Sequence, residues 1–416
     1  MNEEMKNGKD TRIGPLEGIR VVEYGVFHAG PGAGAILGDL GADVVKIEEA
    51  SGDPMRHWSR TGMVVFGLPD GKSAMFEVSN RNKKGICLDI HTEKGREIFN
   101  RLVKGADVFL TNLRPTTKIE LGIDYKSITI INPKIIHANV SGYGPEGPLA
   151  NLGAFDPLGQ ARSGMAYLAG NDHPTPLHLG ILDQSTAIAV SHAIITALLA
   201  RERQGMGQEI HISLYSTAMW LMYCNFMIKS MVGVDPSMRW DRSLNSPLRN
   251  AFLCKGGKWI IGTNHPEERW WPILCKATGQ DHLIEDSRFV DQQNRFHHCP
   301  ELVAVFDAVF LTRTRDEWMD IFLEHRLMFS SVQQIDEVFT DVQALANGYI
   351  TTITSSSLGE LKIPGYPIHF GANRAGMRSF APHVGEHTDI VLKELGYEAA
   401  EIESLKQDGV VCSKPS

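Results

Sequence analysis

The sequence predicts an α/β protein in which a parallel sheet is covered by helices on both faces, followed by a smaller α+β domain. Near the N-terminus a strand, a Gly-rich turn, a helix and a second strand follow one another, which is a βαβ unit. Short strands and helices then keep alternating as far as Val140, as a parallel sheet requires. From Asn250 the pattern changes to paired short strands followed by helices, which marks the second domain.

Ile19 to Tyr24 is a β-rich run that ends at the turn Ala29 to Gly34, and a helical stretch follows to Leu40, where Gly41 stops it. Asp43 to Glu48 is the next strand. Gly30-x-Gly32-x-x-Ala35 fits the dinucleotide fingerprint, with Glu48 where a ribose-binding acid would stand, so a nicotinamide-dependent oxidoreductase is a rival reading. Pro31 weakens it by removing a backbone N–H that would face a pyrophosphate. Residues 49–79 show no clear period and read as a polar loop carrying Arg56, Arg60 and Lys72. The basic cluster Asn80 to Lys84 precedes a strand over Gly85 to Leu88; a helix from Thr92 to Val103 and strands at Val108 to Leu110 and Ile135 to Val140 follow. Ser141 to Gly147 is a Gly-rich loop able to bring its backbone close to a ligand.

His178 to Arg203 places Asp183 just before a long run without charge, the pattern of a buried helix entered from a Gly-containing turn. Asp183 is thus a helix N-cap or a catalytic carboxylate, and caps are the commoner case. Glu209 to Leu214 is a strand. The Met-rich segment Met219 to Met231 reads as a core helix, or else as an adaptable wall for an acyl group. Phe252 to Lys255 and Lys258 to Thr263 flank Gly256-Gly257 as a hairpin, and helices are expected at Glu267 to Thr278 and Arg315 to His325, with Trp270 and Trp271 packed inside the second domain. Gly385 to Gly396 is an amphipathic helix whose apolar side covers the first domain, with a second short helix from Glu398.

At 416 residues the chain can bury a large core, and its net charge of -8 is spread without a basic stripe, which disfavours nucleic acid as a partner. The first dozen residues are polar and lack the apolar core of a secretory signal. The most apolar stretch, Leu214 to Val232, is broken by Asn225 and Lys229, so no membrane span is expected and a cytoplasmic protein is the default. The six cysteines have no CxxC spacing and read as reduced thiols. His297-His298-Cys299 is the one dense ligand-like cluster, but adjacent helical residues diverge by about 100° and rarely share a metal, so no metal site is expected.

Taken together, Pro15 to Tyr24, Ala29-Gly-Pro31, Gly38 to Glu48, Gly52-Asp-Pro54, Asn112, Ser141-Gly-Tyr143 and Gly385-Glu-His-Thr388 resemble the family III CoA-transferases of the CaiB/BaiF type, over nearly the whole chain from Gly14 to Val411. The resemblance implies transfer of CoA from an acyl-CoA donor to a free carboxylic acid, with Asp183 as the nucleophile. An aspartyl mixed anhydride and an aspartyl-CoA thioester would be the intermediates. Coenzyme A is then a substrate and no cofactor is held permanently. The implied CoA contacts are His28, Ala29, Leu88, Asp89, Ile90, His91, Asn112, Leu113, Val140, Ser141, Gly142 and Tyr143. A helix N-terminus would hold Asp183 ionised, and Gly turns would offer N–H groups to the oxyanions.

The chain departs from the formyl-CoA relatives at Glu49 and Glu120, where they carry CoA-binding Arg residues, so Arg56, Lys83, Arg114 or Lys118 would have to neutralise the phosphates. Their glycine-run loop is absent around Asn245 to Asn250. The related α-methylacyl-CoA racemases need a His where Phe155 stands, so an isomerase is the weaker alternative. Phe155-Asp156 and Asn245-Ser-Pro247 resemble the branch acting on 2-hydroxy acids such as phenyllactate. The resemblance also implies a Rossmann-like large domain, residues 1–232, completed by 346–416 around a small domain at 233–345, in an interlocked homodimer.

Overall fold

The computed structural model describes residues 13–168, 173–234 and 241–413; the N-terminal dozen, read above as lacking a signal, lie outside the described residues. Contacts divide the chain into two compact units, Met1–Met238 with Thr351–Ser416, and Arg239–Ile350.

The first unit runs β1 (Arg20–Glu23), α1 (Ala29–Asp39), β2 (Asp43–Glu48), β3 (Arg60–Thr61), β4 (Val64–Val65), α2 (Ala74–Asn80), β5 (Lys83–Leu88), α3 (Glu93–Lys104) and β6 (Val108–Thr111). It continues through α4 (Pro115–Glu120), α5 (Tyr125–Ile131), β7 (Ile136–Ser141), α6 (Asp156–Ser163), α7 (Ile181–Gln204), β8 (Gln208–Ser213), α8 (Leu214–Leu221) and α9 (Tyr223–Val232). β1, β2, β5, β6, β7 and β8 pair in parallel. Across the sheet the order is β5-β2-β1-β6-β7-β8, which is the doubly wound order, with its topological switch point between β1 and β6.

Both faces of this sheet are covered, and the strands alternate between two cores as the pleat demands. Val21, Val44, Val108 and Leu110 pack with α1 and α7 on one face. Val22, Val45 and Phe109 pack with α3 on the other. α7 is long and apolar enough to cross a membrane by length and composition, but Leu182, Ala187, Val190 and Ile194 face the first of these cores, as in the central helix of a globular fold. The loop expected over 49–79 contains the small β3–β4 ladder and α2, elements too short to leave a period in the sequence.

The second unit builds its antiparallel sheet from β9 (Ala251–Leu253), β10 (Trp259–Gly262) and, further along the chain, β11 (Phe329–Val332). The helices α10 (Glu267–Ala277), α11 (Gln292–His297), α12 (Cys299–Phe310), α13 (Arg315–Glu324), α14 (Ile335–Val338) and α15 (Val342–Ala346) complete it. Trp270 and Trp271 lie in its core with Phe252, Phe306 and Trp318. The chain then forms the ladder β12 (Ile350–Ser355) with β13 (Gly359–Pro364), followed by α16 (Thr388–Glu394), α17 (Ala399–Gln407) and β14 (Val411–Cys412). Val391, Leu392, Ile402 and Leu405 of α16 and α17 join the α3 core.

Two expectations need correction here. Cys87 and Cys412 form a disulfide, because β14 pairs antiparallel with β5 and brings their Cα atoms to 5.2 Å across a separation of 325 residues. Thr388 Oγ1 ties the same two strands, accepting from Cys87 N and donating to Cys412 O. The Met-rich segment is mostly not core: Met222 packs in the first core, but α9 buries none of its residues, and Trp220 and Met231 are 73% and 74% exposed.

Candidate active site

In a doubly wound sheet, ligands bind beyond the carboxyl ends of the strands at the switch point. There Asn112, just past β6, clasps the loop after β1: Val26 N donates to its Oδ1 at 2.9 Å and its Nδ2 donates to Val26 O at 2.6 Å. Gly25 permits this approach, since a Cβ there would lie 2.7 Å from Asn112 Oδ1. The next residue, Phe27, sits at φ +63°, strained for a side chain with a Cβ.

That strain is held from below by a buried ion network. Lys46 Nζ donates to Gly25 O at 2.7 Å and pairs with Glu23 and Asp53, while Asp53 Oδ1 accepts from Phe27 N at 3.2 Å. Lys83 Nζ grips both Glu23 oxygens and Pro31 O. These groups are nearly inaccessible to water. Burial of paired charges of this kind fixes geometry more than it adds stability.

The glycines of the dinucleotide fingerprint do other work. Gly30 to Ala35 lie inside fully buried α1, where Gly32 lets Ala187 of α7 come within 3.1 Å of the place a Cβ would occupy. Gly34 makes room for Glu23. They serve helix packing, which removes the basis for the nicotinamide reading.

Asp183 lies in the first turn of α7, after Leu179 and Gly180, which both take left-handed backbone at φ +59° and +71°. It is not the N-cap. Asp156, the first residue of α6, fills that role: its Oδ2 accepts from Leu182 N at 2.7 Å and Asp183 N at 2.9 Å. Gln160 Nε2 donates to Asp156 Oδ1 and also to Leu177 O at 2.9 Å, fixing the capping carboxylate. The Asp183 carboxylate itself accepts no hydrogen bond among the described residues. Burial and the negative charge of Asp156 raise its pKa to about 7. The expectation that the helix dipole holds Asp183 ionised is therefore overturned, because Asp156 already occupies the first-turn N–H groups.

On the other side of Asp183, His28 Nε2 meets Gln184 Oε1 at 2.9 Å and His28 Nδ1 meets Ser79 Oγ at 2.7 Å. Burial lowers the His28 pKa to about 4, so the ring is neutral, and a proton on Nε2 lets it donate to Gln184. The Gln184 amide nitrogen then points away with no hydrogen bond among the described residues. Neither the capping role of Asp156 nor Gln184 could be read from the sequence, because these roles come from contacts across the fold.

The residues expected to contact CoA all lie on the carboxyl side of β1, β5, β6 and β7, though not all by their side chains. His28 and Ala29 open α1 and are buried, as is Val140 in β7. Leu88 and Ile90 bury their side chains in the α3 core, leaving their backbone, half-buried Asp89 and exposed His91 at the surface. Asn112 and Leu113 are half-buried beside the switch point. Ser141 Oγ accepts from Gly144 N at 3.0 Å, Gly142 fits against Ala154 where a Cβ would clash, and the Arg162 guanidinium lies 5.8 Å from the Tyr143 ring.

Of the four cations expected to neutralise phosphates, three are already engaged. Lys83 is buried on Glu23, Arg56 is bidentate on Glu48, and buried Lys118 donates to Asn139 Oδ1. Arg114, at the N-cap of α4, is exposed and makes no ion pair among the described residues. A polar cavity of about 600 Å³ lined by Glu17, Arg20, Asp43, Lys84 and Arg378 opens at the opposite end of the strands; of the residues above it includes Lys83, and it does not include Asp183. Among the described residues no group of three or more His, Cys, Asp or Glu side chains is placed to hold a metal.

The chain is 32% identical over 406 residues to a Fusarium pseudograminearum acyl-CoA transferase, covering 96% of this chain and 88% of that one. It is 32% identical over 403 residues to the (R)-2-hydroxy-4-methylpentanoate CoA-transferase of Clostridioides difficile, covering 95% and 99%. The crystal structure of a CaiB/BaiF family protein from Brucella suis superposes with a TM-score of 0.82 at 28% identity, covering 92% of this chain and 100% of that one. The model of CoA-transferase family III matches residues 16–388, and the chain belongs to that family.

Proposed function

We propose that this CoA-transferase works through covalent intermediates on Asp183. The observation that carries the reading is an unpartnered, half-buried carboxylate at the mouth of the switch-point crevice, with its pKa raised to about 7. An ionised carboxylate released from water and hydrogen bonds is a strong nucleophile.

Asp183 Oδ attacks the thioester carbonyl of the donor, the C–S bond breaks, and CoA leaves as thiolate with an aspartyl mixed anhydride in place. The thiolate attacks the Asp183 carbonyl carbon and expels the donor acid, leaving an aspartyl-CoA thioester. The acceptor carboxylate then attacks that carbonyl and frees the thiolate, which attacks the acceptor's carbonyl and restores Asp183. No net proton is consumed. The Gln184 amide, oriented by His28, stands beside Asp183 as a donor for the oxyanions formed at each attack. CoA lies along the strand ends from Asp89 to Tyr143, with Arg114 as the cation for its phosphates. Asp183→Asn keeps the shape and removes the nucleophile; CoA exchange should fall by at least about a thousandfold. Exchange within tenfold of the parent would overturn the assignment.

A second copy of the chain covers the apolar surface of α8 and α9, in the homodimer that the resemblance implies. Trp220, Met231 and Val232 are 73%, 74% and 67% exposed, and large apolar side chains left bare on neighbouring helices favour a partner surface. The racemase reading has less support: Phe155 has no proton to move, and both oxygens of Asp156 are taken by hydrogen bonds.

A further inference from the structure

We infer that the acyl group of this enzyme's substrate is bulky and apolar, aromatic or branched, without a second carboxylate, and that Phe155 and Phe27 form the wall that selects it; this rests on Asp183 being the nucleophile. Phe155 precedes Asp156, which is bonded to the backbone of Asp183. Phe27 precedes His28, which is bonded to Gln184. Each ring is thus one residue from a group bonded to the first turn of α7, and the two rings meet edge to face at 5.0 Å. Trp58 continues the row, edge-on to Phe27 at 6.2 Å, and its Nε1 donates to Arg60 O, so the indole's polar edge is already satisfied. Phe155 is 50% exposed and Trp58 37%, so apolar surface faces outward beside the carboxylate. Leu179 and Ile181, in the turn leading into α7, add 62% and 47% exposed side chains.

Charge points the same way. A dicarboxylic acyl group such as succinyl needs a cation for its distal carboxylate, since an unpaired charge beside apolar surface is strongly disfavoured. Arg56 is bidentate on Glu48, Arg81 is spent on Asp39, burial keeps His28 neutral, Arg162 lies 5.8 Å from the Tyr143 and Tyr215 rings, and Arg114 is the cation assigned above to the CoA phosphates. Asp156, which helps to raise the Asp183 pKa, is a charge of the wrong sign for a second carboxylate. A phenyl or branched alkyl group meets rings and aliphatic side chains instead. One methylene in such a pocket is worth about 10- to 200-fold in specificity.

The test follows exchange of isotope-labelled acid into its own CoA thioester by the full-length protein, using 3-phenylpropionyl, 3-methylbutyryl, butyryl and succinyl pairs. Adducts on Asp183 are trapped with hydroxylamine in parallel. The phenyl and branched pairs should exceed succinyl in kcat/KM by at least about a hundredfold, and Phe155→Ala should lower the phenyl-to-butyryl ratio by at least about tenfold. Succinyl exchange as fast as phenylpropionyl exchange, with Asp183 labelled, would overturn the substrate class and leave the nucleophile in place. No adduct from any donor would overturn both. If Phe155→Ala does not fold, the ranking of donors by the parent protein decides by itself.

Discussion

Asp156 and Asp183 are two carboxylates with separate roles set by their surroundings. Asp156 accepts two helix N–H groups and caps α7, while Asp183 accepts none and stands in the field of Asp156. Burial first, and Asp156 second, lift Asp183 to about 7, so at neutral pH only about half of it is ionised in the free enzyme. Acylation of Asp183 should therefore rise with pH through about 7 and then level off, read as the rate of adduct formation under single turnover. Asp156→Asn removes the second cause and should move the inflection toward lower pH. A profile flat from pH 5 to 9 would contradict the account. The sequence made Asp183 legible through its position before an uncharged helix. It marked Asp156 only through a resemblance and left its capping role silent, because a capping contact from another helix has no local pattern.

At the scale of elements, the loop after β1 is the part that the fold works hardest to fix. The strain at Phe27 is held by the Asn112 clasp and by Lys46 and Lys83 beneath it, so these lysines belong to the scaffold. Lys83→Met should destabilise the fold by about 3 kcal/mol, because it takes from Glu23 one of its two buried cations. Arg114→Ala should leave Tm unchanged and weaken CoA binding about tenfold, the two effects being separated by calorimetry and titration. Equal CoA affinity in the Arg114 variant would return the phosphate contacts to other residues. β1, β2 and β7 were readable because β-branched runs bounded by glycine or proline keep one period across both covered faces. The β3–β4 ladder and α2 were not, since elements this short are defined by what they pack against.

For the whole molecule, the doubly wound order could be foreseen as parallel alternation, yet neither the disulfide nor the exposure of α9 could. Cys87 and Cys412 lie 325 residues apart, and only the closing antiparallel strand brings them together. The exposed apolar residues of α9 read as core in the sequence because an apolar surface has the same composition as an interior. Sedimentation should give twice the chain mass, and Trp220→Asp with Met231→Asp should shift it toward one; a monomeric parent would contradict the pairing. The most direct test of the central claim is intact-protein and peptide mass spectrometry after mixing the enzyme with an acyl-CoA and quenching with hydroxylamine. A hydroxamate on Asp183, absent from Asp183→Asn, is the result expected. A donor that is turned over while the Asp183 peptide remains unmodified at every time point would contradict it.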